Sequence, residues 1–148
     1  MGNLGPDGIT VTPLKQISTE GGAVLHAMKN SDSGYVGFGE AYFSWVSSGA
    51  IKGWKRHNKM IMNLVVPVGS VRFVFHDARN GTNDTFRILK IGKENYARIT
   101  VPSGLWFAFQ GISENDSLIL NISQIQHDSA ETDRKPLSEF NFDWTAIS

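Results

Sequence analysis

The chain contains no cysteine. Disulfides, thiolate metal sites and a cysteine nucleophile are therefore excluded. No apolar run approaches the roughly 18 residues of a membrane span. The N-terminal stretch MGNLGPDGIT has neither a basic n-region nor an apolar h-region, so no secretory signal is expected. An excess of one charge is missing as well: 14 Lys and Arg balance 14 Asp and Glu, and the pI is near 6.9. That balance argues against a nucleic-acid binder dominated by phosphate contacts. These absences lead us to expect a cytoplasmic protein with neither nucleic acid nor membrane as a partner. Helical periodicity is also lacking, since no window carries a sustained 3.6-residue repeat.

What the sequence does contain is a series of short apolar runs rich in Val, Ile, Phe and Trp, punctuated by Gly, Asn, Asp and Ser. They predict strands over residues 8–14, 23–28, 36–46, 51–57, 60–67, 70–76, 85–91, 97–101, 105–109 and 117–123. Asn80-Gly81, within ARNGTND, is a turn signal. Many short strands with regular turns indicate an all-β sandwich or barrel. The 148 residues suit a single domain. Residues 129–148 are expected to form an arm that runs over its surface and docks Phe140, Phe142 and Trp144.

Strand alternation sorts side chains onto two faces. Val71, Phe73 and Phe75 share one face, and Arg72, Val74 and His76 the other. In IKGWKRH, alternation groups Ile51, Gly53, Lys55 and His57 on one side and Lys52, Trp54 and Arg56 on the opposite one. The basic cluster of Lys52–Lys59 is thereby split between two faces.

Three stretches, GAIKGWKRH, VVPVGSVRFVFHDAR and TVPSGLWFAF, resemble the cupin superfamily, and more closely the dTDP-4-dehydrorhamnose 3,5-epimerase family. The likeness runs from Gly39 to Asp128. It implies an all-β double-stranded β-helix, the jelly-roll cupin barrel, and a homodimer. Metal-binding cupins converge three His and a carboxylate on one cation. Here Lys55, Met62 and Phe107 occupy three of those positions and only His57 is kept, so neither a metal nor another cofactor is expected. The epimerases remove a proton next to a ketone with a His base and return it from a Tyr on the opposite side. By motif, the family's Arg falls on Lys52, its His on Lys55, its Gln on Glu40 and its Asp on Asp77, followed by Arg79. The Tyr position falls near Ile125 and Gln126 and is vacant.

These matches make Lys55, His57 and Asp77 the candidate catalytic residues. Glu40, Tyr42, Lys52, Arg72 and Trp106 are the candidates for substrate binding. Each has a plainer reading beside it. Lys55 is either a base of lowered pKa or a space-filling partner of Glu40 or Asp77. His57 has the unperturbed pKa suited to proton transfer. Tyr42 either supplies the missing phenol or packs in the core. Lys52, Arg56 and Arg72 either meet a diphosphate or form a solvated face. Trp54 and Trp106 either stack on a nucleobase or sugar, or pack in the core. His26 and His76 are expected to be surface or satisfied side chains, and His127 lies near the vacant Tyr position. The resemblance implies a nucleotide-sugar isomerase that epimerises a dTDP-linked 4-keto-6-deoxy sugar for surface polysaccharide. The alternative is a non-catalytic cupin that binds a nucleotide sugar or glycan.

Overall fold

The computed structural model describes residues 3–4, 7–79 and 85–145. Among them the strands are β1 (Asn3–Leu4), β2 (Thr10–Pro13), β3 (Gln16–Thr19), β4 (Gly22–Leu25), β5 (Glu40–Val46), β6 (Ile51–His57), β7 (Met62–Val68), β8 (Ser70–His76), β9 (Phe86–Gly92), β10 (Ala97–Val101), β11 (Trp106–Gly111), β12 (Ser117–Ser123) and β13 (Thr132–Arg134). The described residues contain two short 3-10 turns and no α-helix. β6, β8, β10 and β12 keep the bounds read from sequence. β5 begins later than expected, where the Gly39 N–H donates to the Ser123 carbonyl at 2.7 Å and the chain crosses the Ile125 backbone. The Asn80-Gly81 turn lies outside the described residues.

Two antiparallel sheets face each other as a jelly roll. One has the order β1-β2-β10-β7-β12-β5 and the other β13-β6-β11-β8-β9. Alternation sends Val71, Phe73 and Phe75 of β8 inward with Phe107 of β11. Met62, Leu64 and Val66 of β7 and Ile99 and Val101 of β10 meet them from the other sheet. Burying such a side chain contributes about 1.5–3 kcal/mol, so this double row dominates the stability of the barrel.

A second apolar cluster covers the outside of the five-stranded sheet. Trp54, Val74, Trp106 and Ala108 lie there under Leu137, Phe140, Phe142 and Trp144 of the C-terminal arm. The Trp54 indole donates to the Leu137 carbonyl at 3.2 Å, and Phe140 meets the Trp54 ring edge-on with centroids 5.2 Å apart. β3 and β4 form a separate hairpin whose residues are all exposed.

One irregularity changes the reading of β6. Lys55 pairs with Phe107 and Gly53 with Ala108, so Trp54 is an extra residue, a β-bulge. The bulge resets the alternation and places Lys52 opposite Phe109. Lys52 therefore shares the inner face with Lys55, contrary to simple alternation. Gly53 has φ +147°, and a Cβ there would overlap Ala108, so the bulge requires glycine.

Candidate active site

Between the sheets lies a cavity of about 520 Å³. β6 contributes Lys52 and Lys55, β8 Phe73, and β11 Phe107 and Phe109. The facing sheet contributes Tyr42 and Ser44 from β5, Met62 and Leu64 from β7, and Ile119 and Asn121 from β12. Arg134 at the end of β13 and Lys135 just after it close the wall. Four cationic side chains thus line the cavity, and among the described residues no carboxylate does. Such a wall selects an anion that presents apolar or stacking surface beside its charge.

Lys55 makes no hydrogen bond or ion pair among the described residues. Burial lowers its pKa first, the Arg134 charge lowers it further, and the Glu131 charge opposes both; the net position is below the ordinary lysine value. Lys52 instead donates to the Trp45 carbonyl at 3.0 Å.

Behind the cavity, His57 and Glu131 form a buried pair with Nδ1 and Oε1 2.6 Å apart. Glu131 Oε2 accepts backbone N–H bonds from Asn58 and Lys59 at 2.9 Å each and from Met60 at 3.3 Å. Burial disfavours the Glu131 charge, but the His57 hydrogen bond and these N–H groups outweigh it and hold the carboxyl at about 2. On His57, burial is the larger influence and keeps the imidazole below its usual value, although the Glu131 hydrogen bond and charge pull it up. The ring is thus neutral at pH 7, with Nδ1–H donating to Glu131. Its Nε2 is buried and has no partner among the described residues. The ring stacks on Phe107, with centroids 5.9 Å apart and planes at 16°.

On the facing sheet, the Asn121 amide donates to the Tyr42 hydroxyl oxygen at 3.1 Å. That bond occupies a lone pair of the phenol and leaves its own proton available to a ligand. Asn121 Oδ1 is buried without a partner among the described residues.

The structure brings together Lys52, Lys55 and Tyr42 in the cavity wall, with His57 behind it. It does not bring the other candidates there. Asp77 follows the end of β8 and is held by Arg79, with its Oδ1 2.9 Å from Nε and its Oδ2 2.9 Å from Nη2. Arg72 projects from the outer face of β8 beneath the arm, where it donates to the Trp144 carbonyl at 2.7 Å and to Gln110. Trp106 is buried on that same face under Phe140, with Arg56 stacked 4.6 Å from its ring centroid. Alternation already opposes Arg72 to the inward Val71 and Phe73. Glu40 stands at the start of β5, outside the cavity wall, and neither Glu40 nor Asp77 pairs with Lys55. His76 is buried at 5% exposure between Phe86 and Phe140, its Nδ1 3.3 Å from the Thr85 carbonyl, so it is a satisfied side chain. His127 is exposed.

Sequence reasoning missed Glu131, Arg134, Lys135 and Asn121. The first three reach the site only because β13 pairs with β6 across the intervening chain, a contact with no local signal. Asn121 had a signal: it interrupts the row Ser117, Ile119, Asn121 and Ser123 on the inner face of β12. Among the described residues no three His, Cys, Asp or Glu side chains gather as metal ligands.

A jelly roll with a polar cavity between its sheets is a cupin barrel. No protein-family model matches the chain. The solved structure of a dTDP-sugar isomerase from Desulfovibrio desulfuricans G20 is 31% identical, with a TM-score of 0.88, and the match covers 96% of this chain and 94% of that one. A probable low-salt glycan biosynthesis epimerase, Agl13 of Haloferax volcanii, is 29% identical over 101 residues, which is 64% of this chain and 63% of the relative. The spore coat polysaccharide biosynthesis protein SpsL of Bacillus subtilis is 22% identical over 144 residues, covering 93% of this chain and 95% of that protein. The chain belongs to the family of dTDP-sugar epimerases and isomerases built on the cupin jelly roll.

Proposed function

We propose that the protein is a nucleotide-sugar isomerase acting on a dTDP-linked 4-keto-6-deoxy sugar by proton abstraction and return, in the cytoplasm and for surface polysaccharide. The observation that carries this reading is the cavity wall itself, with Lys52, Lys55, Arg134 and Lys135 around one space that no carboxylate of the described residues lines. A diphosphate matches those cations, and the apolar floor of Phe73, Phe107 and Phe109 suits the deoxysugar and base. The His57 imidazole, held neutral and oriented by Glu131, is the base for the proton next to the ketone. Lys55 answers the charge that develops on the ketone oxygen. Tyr42, from the opposite sheet, returns a proton to the other side of the carbon.

We also infer a homodimer through the outer face of the six-stranded sheet. Phe43 and Trp45 of the edge strand β5 are 64% and 58% exposed, and their register neighbours Leu120 and Leu118 continue the apolar surface. An unpaired apolar edge of this kind invites a second copy of the chain.

The test is solvent deuterium exchange into dTDP-4-keto-6-deoxyglucose, followed by mass spectrometry. Exchange above buffer background is expected, and it should collapse in His57→Asn. If the sugar binds and exchange stays at background, the isomerase reading fails and a sugar-binding cupin without catalysis remains.

A further inference from the structure

Asn121 and Tyr42 are register partners on β12 and β5, so their side chains stand side by side on the cavity face of the six-stranded sheet. Asn121 is only 2% exposed, and Met62, Leu64 and Ile119 line the wall with it. A barrel interior of this kind does not need an amide, and burying one is costly unless its polar atoms are bonded. The Asn121 Nδ2 hydrogens go to two acceptors, the Tyr42 hydroxyl oxygen at 3.1 Å and the Met60 thioether sulfur at 3.8 Å. Together these fix which way the amide faces. Turned over, it would set Oδ1 against the lone pairs of the sulfur and take Nδ2 away from both acceptors. Met60 is itself held, since its backbone N–H donates to Glu131 Oε2 at 3.3 Å. A chain of contacts thus runs from Tyr42 through Asn121 and Met60 to Glu131 and His57, from one sheet to the other.

We propose that Asn121 is a positioning residue for proton return: its amide turns the Tyr42 hydrogen towards the ligand and stabilises the phenoxide that Tyr42 becomes. The inference rests on the isomerase reading, because it requires a carbon to be reprotonated in the cavity. A phenol oxygen that accepts from Asn121 does not aim its own hydrogen at that amide, so the hydrogen is directed away from it. As the proton leaves, negative charge develops on the oxygen that Nδ2–H already faces, and a neutral hydrogen bond becomes a charge-assisted one. The bond strengthens as the reaction proceeds, which is the condition for lowering a barrier rather than only binding.

The step balances. The Tyr42 O–H bond breaks and its proton joins the α-carbon. The enolate C=C pair forms the new C–H bond as the ketone C=O is restored, and the negative charge passes to the phenoxide. Water then returns a proton to Tyr42, which is 38% exposed, and His57 gives up to water the proton it abstracted.

The test follows dTDP-4-keto-6-deoxyglucose in D2O with the full-length protein, reading deuterium exchange by mass spectrometry and epimer formation by NMR. In Asn121→Leu, exchange is expected to stay within about 3-fold of wild type while epimer formation falls about 10–100-fold. Adding Asn121→Leu to Tyr42→Phe should cause no further loss, because the amide acts through the phenol. Unchanged epimer formation in Asn121→Leu, an equal fall of both rates, or losses that add to those of Tyr42→Phe would overturn the assignment and leave the isomerase reading standing. Wild type that exchanges deuterium but forms no epimer overturns it as well. Wild type that binds the sugar without exchange overturns both. If Asn121→Leu fails to fold, ¹⁵N spectra of the Asn121 side chain in wild type and Tyr42→Phe decide the matter. Its signal is expected to shift when the hydroxyl is removed, and an unmoved signal overturns the assignment.

Discussion

Glu131 Oε1 lies 2.6 Å from His57 Nδ1, joining residues 74 apart in the chain inside a fully buried pair. The carboxylate also ties down the backbone of Asn58, Lys59 and Met60. One side chain therefore fixes the tautomer of the proposed base and the end of the strand that carries it.

Removing that carboxylate strands an imidazole N–H and three backbone donors. Glu131→Ala is expected to cost about 3–5 kcal/mol, measured by urea unfolding. It should also depress exchange in whatever fraction folds, because His57 loses its orientation. Full stability together with full activity in Glu131→Ala would contradict the assigned role.

The same pair predicts an acid-sensitive fold. Glu131 ionises at about 2 in the folded chain against an ordinary value of 4.5, so its contribution is present above 4.5 and lost as pH falls towards 2. His57 is also lowered, from 6.5, so the unfolded chain takes up its proton first and stability begins to fall below that pH. Both groups act in the same direction. Thermal melts should show Tm declining from about pH 6.5 downwards, and Glu131→Gln should flatten the part of the decline below 4.5.

Diphosphate affinity should separate the two faces of β6. Lys52→Ala and Arg134→Ala are each expected to raise the Kd for dTDP by roughly 10-fold or more, in calorimetry at fixed salt. Arg56→Ala should leave it unchanged, since Arg56 lies on the outer face in a 2.7 Å pair with Asp133. Equal losses from Arg56 and Lys52 would place the phosphate elsewhere.

Tyr42→Phe should divide the reaction. Removal of the α-proton needs only the β6 side of the cavity, so deuterium still washes in. Delivery of a proton from the facing sheet is lost, so formation of the epimer is expected to fall about 100-fold. Product analysis by NMR beside the exchange assay distinguishes this from a binding defect, which would lower both rates together.

Most of the barrel was legible because its strands obey local rules. β6, β8, β10 and β12 are bounded by turn residues and have β-rich sequences, and the inward row of β8 follows from alternation. The inward placement of Lys55 and His57 follows in the same way. Lys52 was misplaced because a bulge is an insertion relative to a partner strand, and that partner is far away in sequence. Motif resemblance had tied Lys52 to the pocket and proved the better guide there. Glu131 and Arg134 escaped notice because β13 reaches β6 only through tertiary pairing. Arg72 and Trp106 were over-read as ligand contacts. Their face was legible, but the arm that covers it turned apparent surface into a second core.

The bulge at Trp54 also bears on how such a site can diversify. Because side-chain direction along a strand is a two-beat rhythm, one inserted residue acts like a frameshift for everything on one side of it. Deleting Trp54 would remove the extra beat and leave Lys52, Lys55 and His57 all inward in plain alternation, so what the inserted residue supplies is its ring, the anchor on which the C-terminal arm is seated. In this protein the inserted residue ties the outer cover to the strand that carries the cavity's amines, and the charge of the cavity does not depend on it.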